Sequence, residues 1–455
     1  MYKFDLEQVL NERFLTRLVE KFRAREIPEY DRLDRYYASK NDGIRLRSMK
    51  PGKPNNKILH GFSRYIANMA TSYFMGKPIR YQVEDEEYHE AIQDYLKDTY
   101  NYNYEISKAA SKKGIAFELL YVNEKSELRS RKYEAQEILP VYSPKADEFL
   151  ECAIHLWETR DLDGNLLLDG ADVYDKTDIW RFCRKNKAAL YELCEVSPHY
   201  LSDVPVIVYW NNEEQAGDYE CVIPEIDAYD KAQSNTANDK DYFTDAYLII
   251  KGAGGGFTDD EGNEIPQSEA ERNLRNSRVM FFDDNGDAKF LVKQADGSQD
   301  EAYKDRIFRD IFFISQVPAM TDESFSGDLS GIAIRYKLIG LEQLAIMKEN
   351  KFRLAVQKKI KLVTDWINLK HSTNYDPALV QQIYERNFID NDTEKIENAA
   401  KAEGMVSKET QLSMLPSSVV PDTQKELARI QEEKRKEELA YGEPEGEEEI
   451  PEDEA

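Results

Sequence analysis

The chain has 455 residues, 41% of them hydrophobic, which is enough to build two or three domains with sizeable cores. Its formal net charge is −26, and the stretch from Glu437 to Ala455 carries ten acids and no base. Such a balance speaks against an ordinary nucleic-acid-binding protein, which grips phosphates through lysine and arginine. No apolar run approaches the ~20 residues of a membrane helix. Met1 to Glu20 mixes acids and bases and has no apolar signal core, so a protein assembled in cytoplasm is expected. Cys152, Cys183, Cys194 and Cys221 show no CxxC spacing and are expected to be free thiols.

In chain order, Leu6, Val9, Leu10, Phe14 and Leu18 recur about one turn apart and predict helix over the first 40 residues. A basic stretch with Pro and Gly follows, from Arg45 to Lys57. Ile58 to Phe74 reads as a helix stopped by Gly76-Lys77-Pro78. Ile79 to Val83 reads as a short strand and Glu87 to Tyr100 as another helix. From Gly114 to Trp210 the pattern turns to strands: Phe117–Val122, Ala153–Glu158, Val173–Cys183, Tyr191–Cys194 and Val206–Tyr209. Asp163-Gly164 supplies a hairpin turn, and the set is expected to be antiparallel. Pro224 opens a helix reaching about Ile250. Gly254 to Gly256 lead into an acidic loop, and a small hairpin follows: Val279–Phe282, the turn Asn285-Gly286, then Ala288–Val292. A helix from Asp300 to Gln316 is closed by Pro318. The longest helix is expected from Gly331 to about Asn368, roughly 57 Å, capped by Ser330. Gly340 inside it costs ~1 kcal/mol against alanine and marks a bend. Three shorter helices follow, the first two capped by Asp392 and Ser407 and the third opened by Pro421-Asp422. The acidic tail reads as disordered.

Enzyme signatures are missing from the sequence. There is no GxxxxGK[ST] phosphate loop, and the glycine run reads as a flexible joint. His60, His89, His155, His199 and His371 stand singly, none at ligand spacing. Asp161-Leu162-Asp163-Gly164-Asn165 and Asp283-Asp284-Asn285-Gly286-Asp287 alternate like calcium loops, but the glycine is misplaced and the bidentate glutamate missing. Both read as hairpin turns. No metal and no cofactor is expected. Lys348, Lys351, Arg353, Lys358, Lys359 and Lys361 form a basic stripe on the long helix. It would suit DNA phosphates, but a solvated face or a subunit contact is the stronger reading.

The order of these elements carries a resemblance. Asn55–Ile58 through Tyr73–Ile79, and Gly114–Tyr121, resemble the opening of portal proteins from siphophages of Gram-positive bacteria. Thr321-Asp322-Glu323-Ser324-Phe325-Ser326-Gly327-Asp328-Leu329-Ser330-Gly331, followed by Ile332–Leu338 and Leu341–Leu344, is similar to that family's tunnel loop and the long helix behind it. Ser407–Thr410, Leu415 and Glu426-Leu427 look like its crown. The likeness covers nearly the whole chain in order.

The resemblance implies an α+β portal fold: a mixed wing, a helical stem, a small α/β clip, a long kinked helix and an all-helical crown. The expected boundaries are wing 1–225, stem helices 226–251 and 300–317, clip 252–299 and tunnel loop 318–331. The long helix with a returning wing strand is expected at 332–392, the crown at 393–436, and the tail at 437–455. It implies a ring of twelve subunits at one capsid vertex of the virion. Double-stranded DNA would pass through it weakly and non-specifically, meeting Thr321, Asp322, Glu323, Ser324, Phe325, Ser326, Gly327 and Asp328. Phe325 either projects into the lumen or packs under its own loop. Val279, Phe281, Phe282, Phe290 and Val292 are the expected clip contacts between subunits, because so short an insertion cannot build a core alone. Implied partners are terminase, major capsid and scaffolding proteins, and a head-completion adaptor, with no membrane. A head–tail adaptor ring without a DNA-handling loop is the second reading. A metal- or acid-dependent hydrolase is the third.

Overall fold

Asn11 decides where the first long helix begins. The computed structural model describes residues 2–50, 53–97, 101–146, 149–243, 247–251, 287–291, 297–320, 331–387, 392–416, 419–420 and 422–441. In it the N-terminal apolar stripe is two helices, α1 (Leu6–Val9) and α2 (Glu12–Tyr37), because the Asn11 side chain accepts from Phe14 N at 3.2 Å and caps the second. The chain divides into two units, residues 1–320 with 338–387, and residues 321–337 with 388–455.

In the first unit, one face of α2 buries Leu15, Leu18, Val19 and Phe22 against a six-stranded sheet. Its strands are β1 (Tyr2–Lys3), β5 (Ile138–Tyr142), β6 (Leu150–Arg160), β7 (Leu166–Tyr174), β8 (Asp178–Arg184) and β9 (Glu192–Pro198), in the order β1-β5-β6-β7-β8-β9. All neighbours are antiparallel except β1, which runs parallel to β5. Ala171 and Val173, two apart and so on one face of β7, meet Ile154 and Phe182 in this core. A second sheet, β10 (Val206–Trp210), β3 (Ile115–Val122) and β4 (Leu128–Tyr133), packs under the long helix α10 (Ile339–His371). Helices α4 (Phe62–Met75), α5 (Glu86–Leu96) and α6 (Tyr102–Lys113) complete that core, which joins Phe74, Ile92 and Ile106 to Phe352, Val356, Ile360 and Val363. β2 (Arg80–Gln82) pairs antiparallel with β13 (Gln381–Ile383). The short α3 (Asp42–Arg45), α7 (Ile223–Phe243) and α8 (Gly297–Ser315) also belong to this unit, α7 packing along α8.

In the second unit lie α9 (Gly331–Lys337), α11 (Asp392–Lys401), α12 (Lys408–Ser413) and α13 (Thr423–Tyr441). Ser407 caps α12 by accepting from Thr410 N at 3.2 Å, and Asp422 accepts from Gln424 N and Lys425 N at the start of α13. Ala399 and Leu412 are buried here, and the Gln411 amide donates to Ala399 O at 2.9 Å.

Several expectations change. The helix expected from Ile58 starts at Phe62, because residues 56–60 are committed to another partner described below. The helix expected to reach Ile250 ends at Phe243, and Tyr247–Lys251 is instead strand β11, paired with β12 (Asp287–Leu291). Its β-branched and aromatic residues suit a ladder better than an exposed helix. Val173–Cys183 is two strands, since Asp175 Oδ1 accepts from Thr177 N and Asp178 N and turns the chain between them. The long helix is interrupted at Leu338 (φ −94°, ψ 3°), not at Gly340. Asp392 is the first residue of α11 rather than its cap, and α13 runs to Tyr441, into the segment expected to be disordered. Helix α6 has no large apolar stripe: apart from Ile106, its buried face is Asn103, Ser107, Ala109, Ala110, Ser111 and Lys113. Gly114 ends it with φ +79°, and an added Cβ would lie 2.1 Å from the Gln215 carbonyl oxygen, so only glycine fits.

Candidate functional site

The segment expected to meet DNA, Thr321, Asp322, Glu323, Ser324, Phe325, Ser326, Gly327 and Asp328, lies outside the described residues, and so do Val279, Phe281, Phe282, Val292 and Ser330. Phe290 sits on β12 opposite Leu248 of β11. What the structure does describe is the root from which the 321–337 excursion leaves the first unit and the place to which it returns.

The root is built by α4 and α8. After Ser315 the chain takes a left-handed turn at Gln316 (φ +59°). Val317 is fully buried, and Pro318, with no N–H to give, stops the helix. The Tyr65 hydroxyl of α4 then holds the departing strand from both sides. It donates to Pro318 O and accepts from Met320 N, each at 2.9 Å. Burial raises the Tyr65 phenol above its ordinary value, with the Met320 N–H pulling the other way, so the hydroxyl stays protonated. Phe312 packs edge-on against Tyr65 at 5.6 Å, and Phe62, Tyr229 and Phe308 extend the aromatic cluster. The returning chain arrives beside the same place. A Cβ on Gly340 would stand 3.0 Å from the Gln316 carbonyl oxygen. Gly340 therefore serves close approach of two backbones, where the sequence suggested a bend. The two ends of the excursion are thus clasped together.

Helix α7 is held by a second device. Its buried line is Asp230, Ser234 and Asn238, four residues apart and polar. They accept from the backbone N–H groups of His60 (3.0 Å), Ile58 (2.9 Å) and Asn56 (2.6 Å), two residues apart. Four helical residues rise about 6.0 Å and two extended residues span about 6.6 Å, so the spacings match. Asp230 also takes the Asn41 amide at 2.5 Å and His60 Nδ1 at 2.7 Å. One helix face therefore replaces the sheet partner that an extended strand would otherwise need. Sequence periodicity missed this, because polar residues at i, i+4 and i+8 look like a solvated face.

Much of the basic stripe of α10 is engaged inside the fold. Lys348, 2% exposed, donates to Asp218 at 2.6 Å and to the Ser111 hydroxyl at 2.5 Å. Burial pulls its ammonium below the lysine range, against the Asp218 charge that lifts it. Lys359 donates to Glu118 at 2.7 Å, whose other oxygen accepts from Tyr209 OH at 2.6 Å. Lys358, half-buried, sends its ammonium to Val206 O at 3.2 Å and is pulled down to about 8 by burial. Arg353 donates to Gln382 O and Glu349 and lies over the Tyr384 ring. Lys358 and Lys359 tie α10 to the sheet beneath it, Lys348 ties it to α6 and to Asp218, and of the six only Lys361 is exposed. Both earlier readings of the stripe, DNA track and solvated or subunit face, fail for Lys348 and Lys359.

Asp161–Asn165 is a tight turn: Gly164 has φ +84°, and Asn165 N donates to Asp161 Oδ1 at 2.7 Å. Among the described residues no group of three or more His, Cys, Asp or Glu side chains is arranged to hold a metal ion, and no helix is long and apolar enough to cross a membrane.

Residues 19–439 match the family model described as phage portal protein, SPP1 Gp6-like. The chain is similar to the portal protein of Bacillus phage SPP1, 24% identical over 429 residues, covering 88% of this chain and 82% of that one. It is also similar to the portal protein of Clostridium phage phiCD119, 22% identical over 397 residues, covering 82% of this chain and 85% of the relative.

Proposed function

The chain belongs to the SPP1 Gp6-like phage portal protein family, and from that membership we propose that it forms a ring of twelve copies through which double-stranded DNA enters and leaves a phage head. The family match across residues 19–439 is the observation that carries this reading. It is a structural protein of the virion, at the portal vertex of the capsid. The proposed division follows the sequence: a wing to residue 225, a stem of α7 and α8, a clip between them, a loop at 318–331 that meets DNA, and a crown from 393. The packing of α7 along α8 supports a stalk, and the pairing of β11 with β12 supports a small tip at its end.

The physics of a conduit explains the charge. DNA must slide in both directions under force. Each phosphate neutralised by a cation releases counterions and tightens binding, so many such contacts would hold the DNA still. A net charge of −26 does the opposite. Burial of Lys348 and Lys359 in internal ion pairs removes two cations that could have gripped the backbone. Asp322, Glu323 and Asp328 would repel phosphate, leaving the loop to touch DNA weakly. Clasping of the chain by Tyr65 and beside Gly340 supports a fixed base for that loop. The chain itself would supply no energy. A terminase ATPase would dock at the clip and drive packaging, and a head-completion protein would replace it afterwards, with capsid and scaffolding proteins around the wing.

Electron microscopy of the purified protein tests the assembly. Class averages with a central hole, a stalk and twelvefold symmetry are expected. A monomer, or a compact particle without a channel, would contradict it.

A further inference from the structure

Strand β9 is an open edge of the six-stranded sheet, and it carries a bulge. Arg181 pairs with Glu195, Phe182 with Leu193 and Cys183 with Glu192. Cys194 is therefore the extra residue, inserted between two ladder positions and left without a partner of its own. Cys183 lies on the next strand, buried, opposite Gly170 of β7, whose missing side chain makes room for the Trp157 ring. Cys194 is exposed. The Cys194 thiol reaches back to the Glu192 carbonyl oxygen at 3.6 Å, and Glu192 is the ladder partner of Cys183. The exposed sulfur therefore lies on the Cys183 side of the bulge, and burial, with the nearby Cys194 thiol, pushes the Cys183 thiol up to about 12. Cys152 sits in the apolar core beneath the sheet, and Cys221 stands far along the chain, so neither competes for this pairing.

We propose that Cys183 and Cys194 are a disulfide-forming pair, reduced while the particle is built and joined once it meets an oxidising medium. This timing rests on the portal reading, because a phage head is assembled in a reducing cytoplasm and then released. The oxidant is a low-molecular-weight disulfide. The exposed Cys194 thiolate attacks one of its sulfurs, forming a mixed disulfide and releasing one small thiolate. Cys183 then gives its proton to solvent, attacks the Cys194 sulfur and expels the second small thiolate. Two protein thiols are oxidised and one small disulfide is reduced to two thiols. A high Cys183 value slows this second step, so the pair resists casual oxidation and closes slowly. The bond ties the edge strand to its neighbour and closes the turn at 185–191, at the strand most exposed to unwanted pairing.

The test uses the full-length purified protein, in whatever oligomeric state it adopts, incubated with glutathione buffers from fully reduced to fully oxidised. Thiols are then blocked with a maleimide and mapped by peptide mass. Expected is a linked Cys183–Cys194 peptide, two hydrogens lighter than its parts, and about tenfold slower hydrogen exchange in β9. C194S should leave Cys183 unlinked and free of glutathione. A Cys194–glutathione adduct that never resolves, or thiols that stay free at every ratio, would overturn the proposal. Neither result depends on whether the protein handles DNA, which electron microscopy and packaging decide separately.

Discussion

Asp169 shows how single side chains set the response to pH. Burial would raise its carboxyl, but hydrogen bonds from Arg23, Arg184 and Tyr191 outweigh that and bring it from 3.8 to about 2. Its stabilising contribution, ~2 kcal/mol, is whole above pH ~4 and is lost as pH falls through 2. His155 behaves differently. Burial, against the pull of Asp172, lowers it from 6.5 to about 4, so the folded protein keeps it neutral beside Tyr133. The unfolded chain binds that proton first, and stability therefore drains as pH falls from ~6.5 to ~4. In urea melts from pH 8 to 4, His155→Gln should lose less stability than wild type, by on the order of 2 kcal/mol. A difference independent of pH would show that His155 takes up its proton equally in the folded and the unfolded chain. At Lys348 the issue is an unpaired charge. Lys348→Met leaves the Asp218 carboxylate buried with only the Asn211 amide as partner. The expected loss is about 3–5 kcal/mol, partly recovered by adding Asp218→Asn. Equal stabilities for the single and double variants, read from urea midpoints, would mean that water reaches the pair.

At the scale of elements, Gly340 separates two explanations. In an open helix, Gly340→Ala should stabilise by ~1 kcal/mol. Beside the Gln316 carbonyl at 3.0 Å the new methyl must push backbone away. The variant is therefore expected to gain nothing or to lose ~1 kcal/mol, and a full gain would mean the clasp is loose. This residue also marks how far the sequence could be followed. Strands such as Phe117–Val122 and Val206–Tyr209 were legible as short runs of β-branched, aromatic and other apolar residues, buried on both faces. So were the caps at Ser407 and Asp422, which act on their own neighbours. Contacts between distant segments were not. Nothing local in Asp230, Ser234 and Asn238 announces that residues 56–60 lie along them, and nothing in Lys348 or Lys359 announces Asp218 or Glu118. Helix α6 hid behind small residues, and the break at Leu338 was assigned to the glycine two residues on. Of the candidate site itself, the loop lies outside the described residues and the sequence missed its root: Tyr65 reads as one more residue on an apolar helix face.

For the whole molecule, the proposed role of the excursion rooted at Tyr65 and Gly340 is to meet DNA and repel it. If subunits form a ring, one substitution is repeated in every copy around one narrow passage. Changing Asp322 and Glu323 together to Lys would turn repulsion into several phosphate contacts at once. Affinity falls steeply with salt when many counterions are released, so the stall should be salt-dependent. Packaging rate in a terminase-driven assay, measured across ionic strength with ring integrity checked by electron microscopy, is the most direct measurement. Expected are intact rings that package slowly or stall at low salt and recover as salt is raised. Wild-type packaging rates for the lysine variant over the full salt range would contradict it.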